Sequence, residues 1–269
     1  MNQELYEKIT QKKEFSQLPR KDVELAMEKF EKKNLNEWQM IKLTRQFLRK
    51  IYSSFSSRKV FSSKQKPRDW YLMKHKSSKE RFPYYNEVYE RIFKGFDRFS
   101  VIDLGSGING LSFLPSSNPQ PPTPSKQNKK ITSRITNYIA VEAIGQFVEL
   151  MNDFFKRQKF NGKAIHLSLF DLREIKEIIK EQKKPRVVLL FKVIDSLEIV
   201  KRDYSKELLK EITPLGDRII VSFATRSLGS GRKFSAKRNW LLKFISENFE
   251  ISDDFEIGGE RYLVFRNKD

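Results

Sequence analysis

The chain contains no cysteine in 269 residues and has two histidines, His75 and His166. The first absence excludes disulfides, thiolate metal sites and a cysteine nucleophile. With its histidines far apart in sequence, the chain lacks the usual donors for zinc, and no metal is expected. Long apolar runs are missing too. Nothing approaches the ~20 residues that span a bilayer, and "VVLLF" is interrupted by Lys192. The segment "MNQELYEKITQKK" has no secretory apolar core. A soluble cytoplasmic protein without a membrane partner is expected, and a monomer.

Acidic residues are scarce relative to basic ones: 34 Asp and Glu stand against 53 Lys and Arg, a net charge of +19. Such an excess attracts polyanions, and nucleic acid is the default partner. The charge is also unevenly placed. Between Lys42 and Lys79 there are twelve basic residues and one acid, Asp69. A solvated helix face would mix signs, so Lys42, Arg45, Arg49, Lys50, Arg58, Lys59, Lys64, Lys66 and Arg68 are candidate contacts to a phosphate backbone. A second acid-free stretch, "ATRSLGSGRKFSAKR", adds Arg226, Arg232, Lys233, Lys237 and Arg238. Its glycines permit close approach to a phosphate or a flipped nucleotide, on which Phe223 or Phe234 could stack.

The first hundred residues read as helices. "QELYEKITQKKEF" and "KDVELAMEKFEKK" carry apolar residues at helical spacing. In "NEWQMIKLTRQFLRKIYSSF" the same spacing places Trp38, Ile41, Leu43, Phe47 and Ile51 on a buried side. Ser77 and Glu80 have capping-box spacing, with Pro83 delaying the regular helix that follows. After residue 100 short strand-like runs alternate with helical ones: "SVIDL", "NYIAVEA", "KAIHLSL", "RVVLLFK" and "DRIIVSF". That alternation predicts a mostly parallel sheet covered on both faces. "FEISDDFEIGGERYLVFRNK" predicts a terminal hairpin turning at Gly258-Gly259. Residues 115–134 carry five prolines and little to bury, which predicts an exposed, disordered insert. The expected division is a basic helical module over 1–74 and an α/β domain over 75–269.

"VIDLGSGINGLS" contains G-x-G-x-x-G, a weak signal alone. Three carboxylates sharpen it. Asp103 stands two residues before Gly105, where a pyrophosphate would be repelled and a sulfonium or ammonium group favoured. Glu142 ends the second strand, the place of a ribose-binding acid, and the insert accounts for its long spacing. Asp171 follows the third strand, within reach of an adenine amine. With five parallel strands and a terminal hairpin, these predict a class I (Rossmann-like) fold that binds S-adenosylmethionine. Gly110 is then incidental.

"HKSSKERFPYYNEVY", "VIDLGSGINGLSF", "VLLFKVIDSLE" and "VSFATRSLGSGRK" resemble, in order, blocks of the 16S rRNA (guanine-1405-N7) methyltransferases, enzymes of aminoglycoside resistance. The resemblance runs with gaps from about residue 70 onward. It implies a methyltransferase acting on 16S rRNA within the 30S subunit, with S-adenosyl-L-methionine as cofactor. It further implies that Arg81 meets the cofactor's carboxylate, that Gly105 and Gly107 pass beneath its methionine part and that Glu142 holds the ribose. Asp171 and Leu172 would flank the adenine, and Lys192 with the following basic loop would border the methyl group and the base. Asp103, Ser106, Ala143 and Phe191 complete the expected cofactor set. The chain departs from the family in reading Asn109-Gly110 for Asn-Pro, in Glu for Asp at 142, and in the insert.

Guanine N7 carries a free lone pair in the neutral base and needs no deprotonation before it accepts a methyl group. A chain without cysteine and nearly without histidine suits such chemistry, and no general base is expected. The run usual for exocyclic amine methylation, N/D-P-P-Y/F, is replaced by "FKVIDSLE". Another RNA target such as tRNA, or a non-catalytic RNA-binding relative, remains an alternative reading of the same residues.

Overall fold

Five apolar runs become parallel strands: β1 (Phe99–Leu104), β2 (Ile135–Glu142), β3 (Gly162–His166), β4 (Arg186–Phe191) and β5 (Arg218–Ala224). The hairpin of β6 (Phe249–Ile257) and β7 (Glu260–Asn267) follows. The sheet has seven strands in the order β3-β2-β1-β4-β5-β7-β6, with β7 antiparallel to both neighbours. This is the class I methyltransferase arrangement expected from the strand–helix alternation and the final hairpin. The computed structural model describes residues 1–53, 60, 65–115, 131–225 and 238–268. The expectations for Arg58, Lys59, Lys64, Arg226, Arg232, Lys233, Phe234, Lys237 and most of the insert lie outside these residues.

Strand β1 is buried along its whole length, as a central strand covered on both faces must be. Its side chains alternate between two cores. Val101 joins Val187 and Leu189 on one face, while Ile102 and Leu104 join Val188 and Leu190 on the other. The second face is covered by α8 (Leu172–Lys180), α9 (Ile194–Val200), α10 (Tyr204–Ile212) and α11 (Asn239–Asn248). The helical reading of "EIVKRDYSKELLKEI" therefore divides in two, because Asp203 adopts φ 62° between α9 and α10. At the hairpin, Gly258 and Gly259 have φ 60° and 77°, the left-handed pair that a two-residue turn of this hand requires.

The first face is covered by α7 (Gly145–Arg157), α6 (Tyr85–Ile92) and the N-terminal helices. These are α1 (Gln3–Thr10), α2 (Arg20–Glu28), α3 (Glu37–Leu48), α4 (Arg68–Lys74) and α5 (Lys76–Arg81). A π-turn, Arg49–Ser53, extends α3. Residues on both sides of position 74 share a single core, in which Ile9, Phe15, Leu18 and Val23 continue into Phe147 and Val101.

Several local expectations change. The buried stripe of α3 is Thr44, Leu48 and, in the turn, Ile51, whereas Trp38 is 66% exposed. Ile51 is buried as the spacing predicts, and Ile41 and Phe47 are half-buried against the core. The capping box is Asn36 with Gln39, at the start of α3. At α5 the cap is His75, whose Nδ1 accepts the Ser78 N–H, so Ser77 and Glu80 are left for other partners. Pro83 does interrupt the helix, as a 3-10 turn over Phe82–Tyr84. Gly110 is not incidental: a Cβ there would lie 2.7 Å from Phe155 and 2.9 Å from Tyr138. At the insert's end Ile131 is buried, against the expectation of little to bury.

Phe15 is fully buried in the shared core. Phe15→Ala should destabilise the whole chain by about 3–5 kcal/mol. Denaturant unfolding followed by circular dichroism and tryptophan fluorescence should give coincident transitions, and an early separate transition of the helices would contradict the shared core.

Candidate functional site

In an α/β sheet the crevice opens at the carboxyl ends of the strands where the chain order reverses. Here that point lies between β1 and β4, with β2 beside β1. A cavity open to solvent occupies it. Gly105, Ser106 and Gly107 leave β1, Glu142 and Ala143 leave β2, and Phe191 and Lys192 leave β4, all at its wall. Leu169 and Phe170 line it after β3, and Arg81 reaches it from α5.

The turn after β1 must be glycine. Gly105 and Gly107 have φ 68° and 56°, in the region that side chains rarely enter. A Cβ on Gly105 would lie 2.5 Å from Val193, and one on Gly107 2.9 Å from the His75 ring. His75 is buried beside Phe147. Burial, with Arg81 and Lys192 nearby, lowers its pKa to about 3, so it adds no positive charge to the wall at neutral pH.

A polar network forms the floor. Asp103 lies wholly buried and outside the lining, its Oδ2 accepting from Asn109 at 2.8 Å and Tyr138 at 2.7 Å. Asn109 in turn accepts from Arg81 at 2.9 Å. Arg81 is 4% exposed, pairs with Glu260 at 3.0 Å, donates to Ser77 and lies 4.8 Å above the Phe191 ring. These bonds leave one N–H on each terminal nitrogen of the guanidinium, which borders the cavity. Glu260 also holds Lys192 at 3.0 Å and accepts from Ser222. Burial opposes the Glu260 charge, yet Arg81 and Lys192 hold its carboxyl below the usual range. Lys192 is fixed further by Glu80 at 2.6 Å and by two bonds from its backbone N–H to Ser222. Such fixing sustains its φ of 57°, a conformation costing about 1–3 kcal/mol outside glycine.

Glu142 sits at the opposite wall. One carboxylate oxygen accepts the Gly107 N–H at 2.7 Å and the other the Ile144 N–H at 2.9 Å. Burial raises its pKa to about 7, with these bonds opposing and Asp22 and Asp103 adding to the rise.

The expected residues thus divide. Arg81, Gly105, Ser106, Gly107, Glu142, Ala143, Phe191 and Lys192 meet at one cavity. Asp171 and Leu172 do not line it. Asp171 is drawn away by an ion pair with Lys21 of α2 at 2.7 Å, leaving apolar Leu169 and Phe170 at the wall. Asp103 acts from beneath, through Asn109. Sequence reading missed Glu260 and Asn109, for which no local signal exists, and also Asp22, Tyr52 and His75 in the lining.

Three solved structures superpose on nearly the whole chain. The 16S rRNA methyltransferase RmtF in complex with S-adenosyl-L-homocysteine has a TM-score of 0.76 at 19% identity, covering 100% of both chains. The 16S rRNA methylase RmtB gives 0.73 at 16% identity, covering 98% of each. An rRNA methylase from Escherichia coli gives 0.72 at 17%, covering 98% of this chain and 99% of that one. The chain has the methyltransferase fold of these proteins. No family model matches it, and no curated protein sequence does.

On this methyltransferase fold the basic candidates also divide. Lys42 and Lys50 are exposed, with Lys42 4.8 Å over the Trp38 ring, and Lys66 is half-buried. Arg45 donates to the carbonyls of Lys8 and Ile9, and Arg49 pairs with Glu14. Arg68 is buried, bonded to Asp69 and the Leu114 carbonyl. It is a tie within the fold rather than a surface charge. Arg238 pairs with Asp195 at 2.6 Å over Phe223, itself core rather than a stacking surface. Among the described residues no acidic or histidine cluster suits a metal, and no helix is long and apolar enough to cross a membrane.

A raised acid holds its proton longer in the folded state, so Glu142 stabilises the fold most below pH 4.5 and loses that contribution as pH rises to about 7. Between pH 4.5 and 8 the wild type should lose on the order of 3 kcal/mol relative to Glu142→Gln. Denaturant titrations of both proteins across that range check it.

Proposed function

We propose that the chain is an S-adenosylmethionine-dependent RNA methyltransferase whose target is N7 of a guanine, of the 1405 type, in 16S rRNA of the small ribosomal subunit. The observation that carries this reading is the convergence of a two-glycine turn, an arginine and a β2-terminal acid on one cavity at the sheet's switch point. The likeness of fold to 16S rRNA methylases, one of them holding S-adenosyl-L-homocysteine, supports it.

The residues fit that cofactor. Gly105 and Gly107 offer backbone where a Cβ would intrude. Ser106 Oγ is buried at the wall with no hydrogen-bond partner among the described residues. Arg81 would hold the carboxylate through its remaining N–H groups, and Glu142 would accept from the ribose. Ala143 and Phe191 would pack against the bound molecule, with Lys192 at the methyl end. The bound cofactor supplies an electrophilic methyl group on a sulfonium. The chain's own task is to align the guanine N7 lone pair with that methyl group and to exclude water. N7 is unprotonated in the neutral base, so no side chain has to remove a proton, which agrees with a site whose histidine is buried and neutral. The exposed lysines of α3 and the stretch after β5 would bring phosphate contacts that position the rRNA without reading its sequence.

Calorimetry with S-adenosylhomocysteine should show binding that Arg81→Gln weakens roughly tenfold or more. Absence of binding by the wild type would favour a non-catalytic RNA-binding relative. Incubation of purified 30S subunits with labelled S-adenosylmethionine, followed by cleavage at 7-methylguanine and reverse transcription, should place one methyl group at a decoding-region guanine. Methylation of tRNA alone would contradict the target.

A further inference from the structure

We infer that the N-terminal helices contribute a cofactor-binding group: Asp22 of α2 accepts a hydrogen bond from a ribose hydroxyl of the bound cofactor. The assignment rests on the reading of the cavity as an S-adenosylmethionine site. Asp22 belongs to the part of the chain expected to dock RNA, but its side chain lines the cavity and is 2% exposed. One carboxylate oxygen accepts from the Tyr52 hydroxyl. The other, Oδ2, lacks a donor in good hydrogen-bond geometry, although the Ser168 hydroxyl lies close enough to favour the Asp22 charge. A buried carboxylate oxygen left without a donor is costly, and a fold retains one where something else supplies the donor.

The surroundings limit what that donor is. Asp22 stands near enough to Glu142 for its charge to contribute to the rise in the Glu142 pKa. Two acceptors on one side of the cavity, one from the sheet and one from α2, suit a pair of neighbouring hydroxyls, which the cofactor offers in its ribose. The wall beyond, Leu169 and Phe170, is apolar and suits the flat base. Lys21, the preceding residue, pins α2 to Asp171 at the start of α8, and Tyr52 brings the π-turn to the cavity wall. Helix α2 is thereby held over the adenosine end of the cavity from both sides of Asp22.

The test uses the full chain and S-adenosylhomocysteine with its 2′-deoxy and 3′-deoxy forms, measured by calorimetry. The wild type should bind the parent compound and discriminate against at least one deoxy form. Asp22→Ala should weaken the parent roughly tenfold or more and lose the discrimination against one deoxy form, keeping that against the form without the hydroxyl from which Glu142 still accepts. Asp22→Asn, of the same shape and still able to bond Tyr52, covers the case in which the alanine variant fails to fold, and should lose part of both effects. Tyr52→Phe removes the internal bond alone and should keep the discrimination. A folded Asp22 variant that binds all three compounds as the wild type does would overturn the assignment while leaving the cofactor reading intact. Failure of the wild type to bind S-adenosylhomocysteine would overturn both.

Discussion

A single buried carboxylate, Glu260, organises this molecule's site. It comes from the start of β7 and neutralises Arg81 of α5 and Lys192 at the end of β4, two cations held near one another in a buried place. Without it the Arg81 charge would be buried without a carboxylate and Lys192 would keep only the more exposed Glu80, and removing one partner of such a cluster costs about 3–5 kcal/mol. With it, Arg81 is aimed both at the cavity and at Asn109, and through Asn109 at Asp103 beneath β1. The wall of the cavity therefore depends on a contact between helix, central strand and terminal hairpin. The β6–β7 hairpin thus completes the site.

The sheet was legible because each strand is a short apolar run flanked by turn residues, and burial on both faces leaves little alternative. The ends of β1, β2 and β4 were legible for the same reason, since strand order fixes which residues reach the switch point. Glu142 and Lys192 could be placed by counting along strands. Glu260 could not. It lies 179 positions from Arg81, and in sequence it is one acid beside a Gly-Gly turn. Asn109, beside the Gly110 that departs from the Asn-Pro of the family motif, proves to be the link between Arg81 and Asp103. Asp171 occupies the expected position, but an ion pair with α2 turns it elsewhere, and only the tertiary arrangement of that helix decides it.

The N-terminal third shows how composition can mislead about organisation. Its excess of lysine and arginine suggests a separate docking surface, and exposed Lys42 and Lys50 are consistent with one. Other basic residues there, Arg45, Arg49 and Arg68, bond carbonyls and carboxylates within the fold. The same helices share a core with α7 and bring Asp22 and Tyr52 to the cavity. Exposed lysines and a wall that faces the cavity are two sides of the same few helices.

The most direct test of the central claim is the affinity of a folded Glu260→Gln protein for S-adenosylhomocysteine, measured beside its stability. Because the carboxylate aims Arg81, the account predicts that affinity falls roughly tenfold or more although residue 260 does not line the cavity. A variant that is less stable yet binds as tightly as the wild type would show that Glu260 merely holds the fold together and that Arg81 is oriented by something else.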